Sequence, residues 1–417
     1  MTDKKQSAEP IPQLDLKAQF RSIRAEVMAA VEKVFDSQAF VLGPQVTELE
    51  KQTAQYLGAA HAIGVSNGSD ALVVALKSLG VGHGDGVLCP SYTFFATAGA
   101  ICRLGATPIF LDSEDDTLNL STSRLAEYLE QDTELREING KQVVHDRKRG
   151  LTVKAVVPVH LFGAAVLMDR VTRLCEDRGL PVVEDTAQAL GASYKGKKTG
   201  TLGTLGTYSF FPSKNLGGAG DGGLVTTDDE NLANRVRRLR VHGAEHRYYH
   251  NEVGFNFRLD TLQAAVLLVK LPHLDAWNVS RRKKAAVYTR LLNERRLSQG
   301  KGGPVRLPVE HPEAPSIYHQ YSVRVPVEDR PRLIQYLADR SIGSAVYYPV
   351  PLHLQECFAA LGYKPGALPV SEKAAMESLA LPIYPELTDL QQERVIDAID
   401  SYFKSGSLRH TPQTSSK

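Results

Sequence analysis

The amino-acid sequence predicts an α/β protein of two domains: a large one with a mostly parallel sheet sandwiched by helices, and a smaller C-terminal α/β domain. Three observations carry this. Short apolar runs alternate with helical patterns from Ala62 onward, the signature of parallel strands joined by covering helices. The chain has 417 residues, more than one ordinary core organises. Beyond the basic run Arg281 to Lys284, read as exposed, the alternation starts again on a smaller scale. The expected limits are 1–275 for the large domain with its N-terminal arm and 276–404 for the small one. The Ser/Thr/Lys-rich segment 405–417 is expected to be a disordered tail.

Composition narrows the function classes. Hydrophobic residues make up 42% and charged residues 23%, as in soluble globular proteins. A net charge of +2 gives no electrostatic case for nucleic acid or an anionic membrane. No apolar run reaches a membrane span, and Met1 to Pro10 is too polar for a signal peptide. Four scattered cysteines without a C-x-x-C read as free thiols of a reducing cytoplasm.

The elements follow in order. A helix is expected over Asp15 to Phe35. Pro44 opens a second, with Val46, Leu49, Thr53 and Leu57 on one face, and Gly58 ends it. The strand Ala62 to Val65 leads through Ser66-Asn-Gly-Ser-Asp70 into a helix, whose N-terminus can receive an anion. Val87 to Cys89 and Thr107 to Asp112 are strands around a helix ending near Leu104. The charged stretch Asp132 to Gly150 has no clean period and reads as a solvated excursion or hairpin. Strands at Val153 to Val159 and Leu180 to Asp185 flank a helix over Met168 to Arg178. A strand Tyr208 to Phe211 ends at Pro212, and another runs from Gly222 to Thr227 before a basic helix, Asp228 to Val241. His242, His246 and His250 lie four apart, but Gly243 breaks the helix that would align them, so no metal site is expected. A long helical region from Asp260 to Asn293 is interrupted at Pro272. The C-terminal part offers strands at Gln320 to Val327 and Ser344 to Tyr348. Its helices are expected at Pro331 to Asp339, Glu372 to Leu379 and Asp389 to Phe403.

Lys214 stands between a strand end and a loop with five glycines, Gly217 to Gly223. One lysine near glycines is ordinarily solvated. Here it has company. Asp185 ends a strand, and ligands in open α/β sheets bind outside the carboxyl ends of strands. The Ser66 to Ser69 turn lies on the same rim. A Schiff-base-forming lysine, a carboxylate for a ring nitrogen and an anion cradle are together what pyridoxal 5′-phosphate needs. Phe94 and Phe95 are available to pack on its ring.

At this point the sequence resembles the DegT/DnrJ/StrS family of sugar aminotransferases, of the fold type I, aspartate-aminotransferase-like architecture. The motifs are Ser66-Asn-Gly-Ser69, Thr93-Phe-Phe-Ala-Thr97, His160-Leu-Phe-Gly163, Glu184-Asp-Thr-Ala-Gln188, Ser209-Phe-Phe-Pro-Ser-Lys214 and Gly254-Phe-Asn-Phe-Arg-Leu-Asp260. The resemblance implies that Lys214 carries the cofactor as a Schiff base, Asp185 pairs with the ring nitrogen and Gln188 with the ring hydroxyl. It implies that Phe94 stacks on the ring, and that Gly68, Ser69 and Ser209 bind the phosphate. Asn256 would reach the cofactor phosphate of a neighbouring subunit, making a homodimer the active unit. His160, Arg258 and His353 are candidate substrate contacts, with a satisfied core histidine an equal reading of His160. The implied reaction transfers an amino group, with glutamate as donor, to a nucleotide-linked keto-sugar, and the Asn256-x-Arg258-Leu-Asp260 form resembles the branch acting at C3. A 4-keto sugar, a cyclitol, or a non-catalytic regulatory role are the alternatives. Lysine rather than histidine at 214 sets the chain apart from the deoxygenating branch, and the stretch 132–150 is longer than the family carries.

Overall fold

The computed structural model describes residues 9–407, apart from 139 and 247. Helix α1 (Leu16–Ser37) starts where Asp15 Oδ1 accepts the Ala18 N–H at 2.9 Å. Helix α2 (Pro44–Leu57) opens on its proline and closes on Gly58 in the left-handed region. Strand β1 (His61–Val65) turns directly into α3 (Gly68–Ser78), whose Leu72, Val74 and Leu76 are buried in the main core. Next come β2 (Asp85–Pro90), α4 (Ala96–Arg103), β3 (Thr107–Leu111) and α5 (Thr122–Gln131). Strands β4 (Thr133–Ile138), β5 (Lys141–Asp146) and β6 (Leu151–Val156) run consecutively, then α6 (Met168–Glu176) and β7 (Val183–Asp185). A small ribbon, β8 (Ser193–Tyr194) with β9 (Lys197–Lys198), precedes β10 (Leu205–Ser209), β11 (Gly223–Thr227) and α7 (Glu230–Leu239). A second ribbon, β12 (Ala244–His246) with β13 (Tyr249–His250), carries His246 and His250, while His242 lies in the turn before it. Helices α8 (Thr261–Lys270) and α9 (Leu274–Glu294) are joined by a 3₁₀ turn at Pro272.

The central sheet runs β1-β11-β10-β7 on one side and β3-β2-β6-β5-β4 on the other. Parallel bridges Val156↔Val182 and Val159↔Asp185 join the end of β6 to β7 and its approach. β11 opposes its neighbours β1 and β10, whereas β7, β6, β2 and β3 run with β10. The carboxyl ends of β1, β7 and β10 therefore share one rim. The stretch expected as a solvated excursion is a hairpin built into the sheet: β4 and β5 pair from Thr133↔Asp146 to Ile138↔Lys141, and β5 continues onto β6 at Val144↔Val153. Asp146, wholly buried, accepts the Tyr128 hydroxyl at 2.7 Å and so fixes the hairpin base.

The C-terminal part holds β14 (Tyr321–Arg324), α10 (Arg330–Ala338), α11 (Pro369–Glu377), β15 (Ser378–Leu381) and α12 (Asp389–Ser407). Its own apolar cluster includes Tyr288, Val323, Leu337, Leu379 and Ile396, together with Ile11 from the start of the chain. Ile11 is tied there by its backbone: its N–H donates to Ser341 O at 2.8 Å, and its carbonyl accepts from Gly343 N at 2.7 Å. Three expectations change. Residues 344–348 form no strand beyond the single bridge Ala345↔Ala380. The helix expected over 372–379 stops at Glu377, because Ser378 to Leu381 is the partner strand of β14. Arg281 is buried rather than exposed, donating to the carbonyls of Tyr318 (3.2 Å), His319 (3.4 Å) and Ile383 (2.9 Å). The boundary expected at 275 falls at the start of the continuous helix α9. Most of the expected tail, 408–417, lies outside the described residues.

Candidate active site

A cavity of about 450 Å³ opens on the shared rim. Its lining includes Gly68, Ser69, Phe94, Asp185, Gln188, Ser209 and Lys214, seven positions singled out from sequence.

The turn after β1 is rigid. Asn67 Oδ1 caps α3 by accepting the Asp70 N–H at 2.8 Å, and Asp70 is held by Ser66 Oγ (2.6 Å), Asn67 Nδ2 (2.8 Å) and Arg103 Nη1 (2.7 Å). The N–H groups of Gly68 and Ser69 open the helix, where no intrahelical acceptor exists. Such groups can receive an anion, with the dipole of the packed helix behind them. Residue 68 is glycine for a steric reason: a Cβ there would lie 2.6 Å from Ser209 Cβ.

Asp185 closes β7 and is 5% exposed. Its Oδ2 accepts the Thr97 hydroxyl at 2.8 Å and its Oδ1 the Ala187 N–H at 3.2 Å. Burial raises its carboxyl, while those two hydrogen bonds and the charge of Lys214 pull it back. Lys214 follows the strand end Ser209 through a tight turn in which its N–H donates to Phe211 O at 2.8 Å. It lines the cavity, half-buried, and burial lowers its ammonium to about 8 against the opposing pull of Asp185. Such a lysine is uncharged far more often at neutral pH than an exposed one, as a nucleophilic amine requires.

Gln188 uses both ends of its amide. Its Oε1 accepts the Phe162 N–H at 2.8 Å, and its Nε2 donates to the Tyr348 hydroxyl at 2.9 Å. Tyr348 comes from the C-terminal part, and Tyr92 holds it there: the Tyr92 hydroxyl accepts the Tyr348 N–H at 3.1 Å and donates to Tyr347 O. The Phe94 ring, 53% exposed, leans toward Tyr348 with centroids 6.0 Å apart.

Four expected residues are not on this cavity. His160 is fully buried: Nδ1 accepts the Val166 N–H at 3.0 Å, so Nε2 carries the proton given to Glu184 at 2.8 Å. It is a satisfied core histidine beneath Asp185, whose carbonyl accepts the His160 N–H at 3.0 Å. His353 is also sealed, between Ser91 Oγ at 2.6 Å on Nδ1 and Glu372 Oε1 at 3.1 Å on Nε2. This Ser-His-Glu chain ties the end of β2 to α11; Ser91 is wholly buried and lines no substrate cavity. Asn256 is exposed and Arg258 half-buried, on a loop bridged to Val241 and Val65, with Arg258 Nη1 3.4 Å from His242 Nε2. Sequence reasoning missed Thr97 as the partner of Asp185, and missed His319, Tyr347 and Tyr348 as lining residues. Thr97 was inside a recognised motif, whereas the other three have no local signal.

A profile of the DegT/DnrJ/EryC1/StrS aminotransferases matches residues 21–400. The chain belongs to this family. Among its relatives, a protein of Geobacillus stearothermophilus named "pleiotropic regulatory protein" is 44% identical over 394 residues, covering 94% of this chain and 99% of that one. The dTDP-3-amino-3,4,6-trideoxy-alpha-D-glucose transaminase of Streptomyces venezuelae is 40% identical over 390 residues, covering 93% and 95%. The crystal structure of S. venezuelae DesV, in complex with a ketimine intermediate, superposes with a TM-score of 0.85 at 38% identity, covering 95% of this chain and 99% of that one. The fold of this aminotransferase-family chain is therefore fold type I. Among its described residues no helix is long and apolar enough to cross a membrane.

Proposed function

We propose that this chain transfers an amino group from glutamate to the 3-keto group of a nucleotide-linked sugar, using pyridoxal 5′-phosphate and acting as a homodimer. The observation that carries the reading is the convergence of Lys214, Asp185 and the N-terminus of α3 on one cavity.

The residues fit the cofactor. The first N–H groups of α3 and the Ser69 and Ser209 hydroxyls would hold its phosphate. Asp185 would keep a proton on the ring nitrogen, and Phe94 would cover the ring face. Gln188 and Tyr348, bonded to each other on one wall, would meet the ring hydroxyl. Among the described residues, Thr93 on the cavity and Thr186 beside Asp185 each keep a buried hydroxyl without a partner, spare donors next to the site. When bound, the cofactor supplies an electron sink for the bond that breaks at the amino-bearing carbon. Lys214 supplies the amine that holds it and the base that takes and returns the proton. Asp185 raises the basicity of Lys214 and keeps both groups charged as a pair when the lysine holds a proton. Phe94, Tyr347 and Tyr348 line the same cavity and, with the cofactor in place, would shield that proton from water.

The C3 assignment is supported by the name of the S. venezuelae relative and by the Asn256-x-Arg258-Leu-Asp260 form. Asn256 and Arg258 face outward from the subunit's own cavity, as residues serving a partner's site would. All four cysteines are free, in keeping with a reducing cytoplasm. The regulatory name of the G. stearothermophilus relative motivates a second reading, a non-catalytic sensor. Lys214, Asp185 and Gln188 being present together on one cavity argues against it.

An absorbance spectrum before and after glutamate tests the reading. A visible band that gives way to a shorter-wavelength one, and returns with a nucleotide-linked 3-keto sugar, is the expected result. No band after added pyridoxal phosphate would favour the sensor.

A further inference from the structure

Behind Lys214 lies a chain of buried amides. Asn278 Nδ2 is 3.3 Å from the carbonyl of Leu190, Asn215 Nδ2 is 2.7 Å from Asn278 Oδ1, and Asn215 Oδ1 is 3.1 Å from His319 Nδ1. A carbonyl can only accept, so Leu190 O fixes which end of Asn278 is the donor. That sets Asn278 Oδ1 toward Asn215, Asn215 Nδ2 toward Asn278, and Asn215 Oδ1 toward the imidazole. His319 Nδ1 must then carry a hydrogen. The Asn278 amide packs closely on this backbone: residue 191 is glycine at φ +94°, and a Cβ there would sit 2.6 Å from Asn278 Nδ2.

His319 is 7% exposed and lines the cavity with Lys214. Burial pushes its basicity well below the ordinary histidine value, and the charge of Lys214 pushes it further, followed by that of Arg281. A neutral imidazole with a hydrogen on Nδ1 presents a bare lone pair at Nε2. Neither His319 Nε2 nor Lys214 Nζ has a hydrogen-bond partner among the described residues.

We propose that His319 is a positioning residue for Lys214: its bare Nε2, on the same cavity as Nζ but not bonded to it in this conformation, accepts a hydrogen bond from the lysine ammonium when that side chain turns toward it. This rests on Lys214 being the reactive amine. When that amine has taken its proton it needs an acceptor in a dry site, and an acceptor fixed by a three-amide chain holds Nζ in one place while the proton is returned. A carboxylate there would raise the lysine too far for it to act as a base. The other ionisable groups around the pair are Asp185 on β7, Asp221 on the glycine loop, Arg281 on α9, and the phenols of Tyr347 and Tyr348.

The test is the pH midpoint at which apoprotein takes up pyridoxal phosphate as a Schiff base. The parent midpoint reports Lys214, near 8. His319→Phe removes the acceptor, so the midpoint should fall by about half a unit, roughly a threefold change in the protonated fraction. His319→Gln, which keeps an acceptor, should restore it. A midpoint that is unchanged or raised in His319→Phe overturns the proposal, as does a fall that glutamine does not reverse. Should the phenylalanine variant not fold, ¹⁵N-histidine spectra of the parent apoprotein decide, with the His319 signal identified by its loss in His319→Gln. Hydrogen on Nδ1 and a bare Nε2 at pH 7 is expected; hydrogen on Nε2 overturns it. Failure of the parent itself to take up pyridoxal phosphate would instead sink the assignment of Lys214.

Discussion

Gly68→Ala is the sharpest probe of the anion cradle. The new methyl would lie 2.6 Å from Ser209 Cβ and 3.1 Å from its Cα, against 3.4 Å for ordinary contact, a shortfall of about 0.8 Å. Ser209 cannot give that distance, because it ends β10 inside a sheet and pairs with Gly223 of β11. The N-terminus of α3 must move instead, and with it the Gly68 and Ser69 N–H groups. Overpacking of this kind costs about 1–3 kcal/mol of stability. A displacement of 0.8 Å also stretches an N–H···O bond beyond useful range. A hydrogen bond to a charged group is worth about 1.5–3 kcal/mol, so losing one weakens cofactor binding by about 10- to 100-fold. Titration of apoprotein with pyridoxal phosphate, followed by fluorescence, reads the second effect; urea unfolding reads the first. Ser209→Gly removes the colliding atom, so adding Gly68→Ala on that background should do much less damage than on the parent. Binding within twofold of the parent in Gly68→Ala alone would refute the steric account of this glycine.

Three further outcomes are expected. Lys214→Ala should abolish turnover in a coupled assay; turnover at the parent rate would remove the lysine from the mechanism. Asp185→Asn takes away the charge that holds the Lys214 ammonium up, so Lys214 loses its proton at lower pH. The apoprotein's Schiff-base midpoint, near 8 in the parent, should therefore fall, and a rise would contradict the pairing. Asn256→Ala and Lys214→Ala should each be inactive alone but recover about a quarter of parent activity when refolded as an equal mixture, since half the dimers then carry one intact site. No recovery would place Asn256 in its own subunit's site or in none.

Much of this was legible in one dimension because the signals are local. Asp15, Pro44 and Gly58 punctuate helices through capping and φ preference, which neighbours in sequence determine. The site motifs sit at strand ends, so the rim they share follows from parallel topology alone. What was not legible depends on partners far along the chain. Ser378 to Leu381 looks like the end of a helix until β14 is there to pair with it. Arg281 in a basic run looks solvated until three backbone carbonyls surround it. The hairpin of β4 and β5 has weak periodicity because Leu135 and Ile138 remain largely exposed, so its alternation carries little apolar contrast. His353 is a candidate contact by the family resemblance, yet its two ring nitrogens are already taken by Ser91 and Glu372.

The seat of Ile11 has a consequence for synthesis. The Ser341 carbonyl and the Gly343 N–H that secure this residue are made about 330 residues after it, roughly 15–65 s at ordinary elongation rates. Until then the segment around Ile11 has α1 beside it but no dock of its own. Stalled chains ending near residue 300 should expose the segment before Leu16 to protease, and chains extended past residue 400 should shield it. A chaperone that masks exposed apolar segments would therefore find its target at Ile11 while those intervening residues are made, and lose it only when the segment around Ser341 folds.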